Sequence, residues 1–588
     1  MKRVFIVIVY LWMATAIVLA SSCSRGFNVE FLNNRTATLH LDSPCEQTLW
    51  LPIEDGAPNA LLTVEGSSLM SVPMRVRLAV DTVEYYMPLR LEATTKRLLI
   101  ENCSFENKVW DCLHLGKKAP LNVTSDLRQQ LHFTPSIGWI NDPNGMVYHD
   151  GEWHLFFQYN PLGGRWSNMS WGHAVSRDLV HWEELPVALY PDSLGQIYSG
   201  SAVIDRHNTA GFGKETMVAL YTSKKRYQSQ SLAYSHDKGR TFTKYEGNPV
   251  LPSTRADFRD PKVFWHEPTS RWIMPLACGN AMEFYSSENL REWHFESRFG
   301  DQYGRHGSDW ECPDLFELPY GDTTKWVLLC SITKDSEHGS SVQYFVGDFD
   351  GHTFVCDTPE NHTDWLNYGR DNYALVTWSN APAGRRVAIG WQNNWQYANK
   401  TLFPTENFRG YMTLAYDLSL IEWEGRAKLI LRPAIEYDAH FKTIQTEPEM
   451  VVEDIRNVYH ATQYDSPLRL DCRLEEIDAQ IVGLRLFNDR GESVEISFNI
   501  AERKFTVDRS GSGNVNFHPK FINPSIAPMS QNGTQQLTLV LDRCSIECFT
   551  DIASTSDLVF PSEGYNRIVF YTVGGSAKIK DLKIRKLQ

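Results

Sequence analysis

The chain has 588 residues, a formal net charge of −14, and 42% hydrophobic and 22% charged residues. That length exceeds one hydrophobic core and predicts two to four domains of an ordinary folded protein. The acidic balance comes without a basic stripe, a zinc-type Cys/His spacing or a phosphate-binding glycine loop, which excludes nucleic acid and anionic membrane as main partners.

The first predicted element is a targeting segment, residues 1–23. Lys2 and Arg3 precede an uncharged apolar run from Val4 to Ala20. Ala20-Ser21-Ser22-Cys23 then sets small residues ahead of a cysteine, as at a bacterial lipoprotein processing site with Cys23 acylated. Ala20 stands where a larger aliphatic is usual, so a plain secretory signal with an incidental cysteine is the alternative. The run is short for a membrane span. The expectation is export to the periplasm or cell surface, with the membrane met only through a lipid.

Residues 24–126 carry short strand patterns such as LLTVEG and KRLLIENC and read as an N-terminal β-sandwich-like domain. From 127 to 430, alternating apolar runs such as WHLFFQY, MVALYTS and WVLLCSI are separated by turn residues. Ser176-Arg177-Asp178-Leu179-Val180-His181-Trp182 recurs as Ser287-Glu288-Asn289-Leu290-Arg291-Glu292-Trp293, with a looser copy at Ser235 between them. Five polar motifs open successive segments: Asp142 in NDPNG, Ser199 in IYSGS, Asp260 in FRDPK, Glu311 in WECPD and Asp371 in RDNYA. They stand 57, 61, 51 and 60 residues apart. Such spacing suits four-stranded propeller blades whose inner strands begin at one end of a central channel, and five motifs mean five blades. After a linker at 431–446, residues 447–588 resume strand alternation as a C-terminal β-sandwich. The fold class is therefore all-β: a five-bladed β-propeller between two sandwiches. Cys103 with Cys112 and Cys544 with Cys548 are candidate bridges, with buried free thiols the blander reading.

The motifs gather three acids, Asp142, Asp260 and Glu311, into one predicted pocket. Paired carboxyls across a glycosidic bond are the usual machinery of glycoside hydrolysis. Ligation of Ca²⁺ and a structural ion pair with Arg259 are the competing readings.

The ordered set HFTPSIGWINDPNG, FFQYNP, IYSGS, FRDPK, WECPD, FVGDFDG and GWQNNWQYA, from about Leu131 to Leu414, resembles glycoside hydrolase family 32, the family of invertases, inulinases and levanases. The resemblance implies a five-bladed propeller followed by a β-sandwich, and a retaining β-fructofuranosidase. It matches Asp142 to the nucleophile, Glu311 to the general acid/base and Asp260 to the transition-state stabiliser. Trp139, Asn141, Gln158, Trp166, Tyr198, Ser199 and Arg259 match sugar-contacting positions, with Trp391 and Trp395 at the rim. Without the family match, Gln158, Trp166 and Ser199 read as a strand-edge cap, blade core and a turn serine. IYSGS replaces the commoner Phe-Ser-Gly-Ser, and Ile140 stands where Met is frequent. No cofactor and no metal are implied, and the expected partners are levan, inulin or sucrose. Endo-cleavage, fructosyl transfer and non-catalytic fructan binding are the alternatives to exo-hydrolysis.

Overall fold

The computed structural model describes residues 26–43, 46–121, 127–401, 407–461 and 466–588. The targeting segment with Cys23 lies outside them. The chain divides into two compact units, residues 1–122 and 123–588.

The first unit holds a five-stranded sheet, from Phe27–Asn33 to Met74–Val76, and a three-stranded sheet around Gln47–Ile53. Alternation sets its buried faces: Ala60, Leu62 and Val64 point inward from one strand, and Tyr85, Met87, Leu89 and Leu91 from another. Cys103, Cys112 and Cys548 are free thiols, so neither candidate bridge forms.

In the second unit, five four-stranded antiparallel meanders follow one another, and their inner strands are Gly138–His149, Gln196–Asp205, Phe264–His266, Trp310–Tyr320 and Tyr373–Thr377. The predicted five blades are present. The short strand Phe408–Arg409 returns from the fifth blade to pair in parallel with Gly138 and Trp139 of the first, which closes the ring. Large aromatics fill the spaces between blades. Trp139, Trp153, Trp171, Trp310, Trp378 and Trp391 are fully buried. Several find a backbone partner for the indole N–H, such as Trp378 Nε1 donating to the His154 carbonyl at 2.8 Å. The sequence repeat marks the turn between the third and fourth strands of blades one, two and three, where the serine hydroxyl meets the side chain two residues on.

The segment 431–446, read above as a linker, is mostly strand. The last blade strand runs to Pro433, a turn of 3₁₀ helix covers Ile435–His440, and the sandwich begins with Phe441–His460. The alternation that marks strands continued across both ends, so composition alone did not bracket the connection. In the sandwich, Arg567–Leu587 pairs with Ile481–Phe487 through its first half and with Leu468–Glu475 through its second. Gly574 and Gly575, both at positive φ, stand between the halves.

Buried ion pairs join propeller and sandwich. His132 lies between Asp542 (Nδ1 to Oδ2, 2.8 Å) and Glu547 (Nε2 to Oε1, 3.2 Å), all without exposed side chain. Burial alone would lower the imidazole, but the two carboxylates raise it to about 9. Asp371 belongs to this junction and not to the channel mouth predicted for it. It pairs with buried Arg509 and accepts from the Tyr397 hydroxyl (2.6 Å) and the Leu558 N–H (2.8 Å).

Candidate active site

Each inner strand carries one extra residue relative to its neighbour at the point where its motif lies, and that of blade one carries a second, across Gly145–Met146. The register slips across Asn141–Asp142, Tyr198–Ser199, Cys312–Pro313 and Ala374–Leu375. In blade three the Arg259↔Ala277 bridge and the bond from the Lys262 N–H to the Pro275 carbonyl flank the same slip. A bulge turns side chains that would alternate up and down the strand toward the channel end. The backbone shows the strain: Asp260, Cys312 and Ala374 are non-glycine residues at φ of 63°, 47° and 53°. Each such conformation costs about 1 kcal/mol or more, and residues held so cluster where function requires it. Blade one uses Gly145 at φ 57° instead, where an added Cβ would meet the rings of Trp171 and Phe156 at 2.6 and 2.8 Å.

The bulges bring Asp142, Asp260 and Glu311 to one pocket of about 470 Å³. Asp142 Oδ2 accepts from the Ser199 hydroxyl at 2.8 Å, while its Oδ1 accepts no hydrogen bond. Asp260 Oδ2 takes the Cys312 N–H at 3.0 Å. The Cys312 thiol lies 3.7 Å from both Asp142 Oδ2 and Asp260 Oδ2, between the two acids. Glu311 accepts from Arg259 Nη2 at 3.1 Å on one oxygen and from the Tyr373 hydroxyl on the other. Arg259 is itself held by Asp257 at 2.8 Å and lies 4.0 Å from Asp260.

Burial, and then the negative charge of Glu311, raise the Asp142 carboxyl from 3.8 to about 6, against hydrogen bonds that include Ser199 and Cys312. Burial raises Asp260 further, to about 7, with Arg259 pulling it down and Glu311 pushing it up. The Cys312 thiol and the Tyr373 phenol are pushed well above their ordinary values, chiefly by burial. Both therefore stay protonated and act as donors, and Cys312 is no thiolate nucleophile. The cluster holds three acids and one arginine. The Arg259 guanidinium lies in contact with the acids, where a divalent ion would have to sit.

Asn141, Gln158, Trp166, Tyr198, Ser199, Arg259 and Trp395 line the pocket with the acids. Trp166 is exposed and meets Tyr198 edge-on at 6.1 Å. Trp139 and Trp391 do not line it. Both are fully buried behind Trp395, at 6.1 and 4.8 Å between ring centroids. Their positions next to motif residues suggested contact, but the pleat turns them into the blade interface, where they fix Trp395. Trp139 also donates to Asn141 Oδ1 at 2.8 Å. Sequence reasoning missed Tyr373. The signal was the fifth motif, RDNYA, whose tyrosine and not its aspartate reaches the site.

A larger cavity of about 550 Å³ lies around Trp265, Trp326 and Arg386, at the other ends of the inner strands. Its buried acid, Asp314, is neutralised by Lys262 at 2.9 Å, and we assign it no catalytic part.

The sequence profile of the glycosyl hydrolases family 32 N-terminal domain matches residues 132–433, and that of the family 32 C-terminal domain matches residues 436–586. A levanase of Bacillus subtilis (strain 168) is 42% identical over 480 residues, covering 79% of this chain and 71% of that protein. An extracellular exo-inulinase of Aspergillus niger is 35% identical, covering 79% and 96%. The crystal structure of exo-inulinase from Aspergillus awamori superposes with a TM-score of 0.73 at 33% identity, covering 80% of this chain and 99% of that one. The chain is a glycoside hydrolase and belongs to glycosyl hydrolases family 32.

Proposed function

We propose that the protein is a retaining β-fructofuranosidase that removes terminal fructose from β-linked fructans, with sucrose as a smaller substrate. The observation that carries this reading is the asymmetry of the two acids. Asp142 is held through one oxygen by the Ser199 hydroxyl, and its carboxyl is raised by burial and by the charge of Glu311. Glu311 is tethered on both oxygens, by Arg259 and Tyr373. A carboxylate fixed in direction suits attack, and a carboxyl that donors orient suits proton delivery.

In the first step the Asp142 carboxylate attacks the anomeric C2 of the terminal fructosyl unit while Glu311 protonates the departing glycosidic oxygen. Once the proton sits on Glu311, its charge no longer raises Asp142, so protonation of one acid favours ionisation of the other. The Asp142–fructosyl ester is then hydrolysed by water that Glu311 deprotonates, with retention. The Asp260 carboxylate, oriented by the Cys312 N–H, accepts sugar hydroxyls and, when ionised, offsets the charge of the oxocarbenium-like transition state. A pocket of about 470 Å³ takes one or two sugar units, which favours cleavage at a chain end over attack within a chain. The names of the levanase and exo-inulinase relatives support fructan as substrate.

Purified protein lacking residues 1–23 is expected to release fructose as the first and dominant product from levan and inulin. Oligosaccharides as first products would reassign it as endo-acting, and lengthened chains as a transferase. The relative named as extracellular also supports export. We assign Cys23 as a lipid-bearing residue; labelled palmitate should enter the wild type and not Cys23→Ala.

A further inference from the structure

Three side chains from two segments far apart in the sequence meet on the propeller face opposite the pocket. Asp178 and His181 belong to the turn after the third strand of blade one, beside the His149–Glu152 hairpin end. His440 ends the 3₁₀ turn between propeller and sandwich. Asp178 Oδ2 lies 2.8 Å from His181 Nδ1 and 3.5 Å from His440 Nε2. One ligand atom from each residue lies within 4.8 Å of the others.

The matching turn in blade three separates what the fold requires here from what it does not. There Asn289 Oδ1 accepts from the Arg291 and Glu292 N–H groups at 3.0 and 2.9 Å, and Leu290 takes φ 62°. In blade one Asp178 Oδ1 accepts from the Val180 and His181 N–H groups at 3.0 and 2.8 Å, and Leu179 takes φ 61°. The indole N–H of Trp182 and of Trp293 closes each turn on the leucine carbonyl. An amide therefore suffices for the turn. The second carboxylate oxygen of Asp178 and the imidazole of His181, which replaces Glu292, are surplus to it, and both face His440.

We infer that Asp178, His181 and His440 form a binding site for a transition-metal dication of zinc type, which ties blade one to the 434–440 connection. At ligand distances of about 2.0–2.1 Å a tetrahedral ion sets its ligand atoms about 3.3 Å apart, which the observed 2.8 and 3.5 Å bracket. Two imidazoles and one carboxylate select zinc over magnesium or calcium and leave the fourth position to water. The three donors on Asp178 Oδ1, from Ser176, Val180 and His181, hold the carboxylate in orientation, as supporting bonds do for metal ligands. The site lies at the strand ends opposite the pocket and joins two segments distant in the chain, so its part is that of a staple.

Chelator-treated protein lacking residues 1–23 should be titrated with zinc chloride by calorimetry and melted with and without the ion. One ion per chain is expected, with a higher melting temperature. Affinity should fall about 30-fold or more in Asp178→Asn, His181→Gln and His440→Gln. Asp178→Asn copies Asn289 and is expected to fold, and all three variants should hydrolyse fructan at the wild-type rate. Absence of saturable binding to the wild type would overturn the inference, as would binding that all three variants retain.

Discussion

Asp542 at the propeller–sandwich junction and the acids Asp142 and Asp260 of the pocket are all desolvated, and their surroundings treat them in opposite ways. At the junction Asp542 accepts from His132 and from the N–H groups of residues 130, 131, 132 and 543, and its carboxyl is lowered although burial works against it. In the pocket Asp142 and Asp260 have fewer donors and face Glu311, and burial with that charge raises both. Burial is common to both places, and donors decide the sign. A buried acid supplied with every partner is holding the fold together. One left short of partners is held ready for chemistry, at a standing cost in stability.

The sharpest way to break this contrast is to remove the pocket acids. Asp142→Asn or Glu311→Gln should lower fructan hydrolysis by about 10⁴-fold while circular dichroism stays unchanged. At the junction the loss should be in stability. His132→Ala leaves Asp542 and Glu547 buried without their cation and should cost about 3–5 kcal/mol, read from denaturant unfolding, with the folded fraction still active.

The reverse effect is expected in the pocket. Asp142→Asn should stabilise the protein by about 1–2 kcal/mol at pH 7, since a shift from 3.8 to about 6 disfavours the ionised folded form. A carboxyl raised on folding adds stability below its unfolded value and loses it as pH rises through its folded one. The gain from the substitution should therefore appear between pH 4 and 7 and be absent at pH 3.5. His132, raised from 6.5 to about 9, loses its contribution in a higher window, between those values, so wild-type stability should fall again as pH rises toward 9. Activity should fall on the acid side below pH 6, as Asp142 takes up a proton. The smallest effect belongs to Tyr373→Phe. Loss of one hydrogen bond to Glu311 should slow turnover by about tenfold and move the basic limb of the pH–rate profile, with KM little changed.

Much of this was legible in the sequence because the five motifs recur at near-constant spacing and each opens an inner strand. The acids followed from the same register. The bulges were not legible, since one extra residue leaves no mark on apolar alternation, yet it decides which side chain reaches the channel. That is why Tyr373 and not Asp371 enters the site, and why Trp139 and Trp391 turn inward behind Trp395. The junction was hidden for another reason. His132 and its partners are some four hundred residues apart, and sandwich strands carry Asp542 and Glu547 without a motif.

The central claim is that Asp142 carries the fructosyl group, and trapping that ester tests it most directly. Glu311→Ala should be mixed with a fructoside bearing a leaving group that needs no protonation, quenched in acid, digested and analysed by mass spectrometry. The account predicts one fructosyl unit on the peptide containing Asp142, which accumulates because no base activates water. A fructosyl unit on Asp260 or another residue would contradict it. So would turnover of that substrate with no adduct and with inversion at C2.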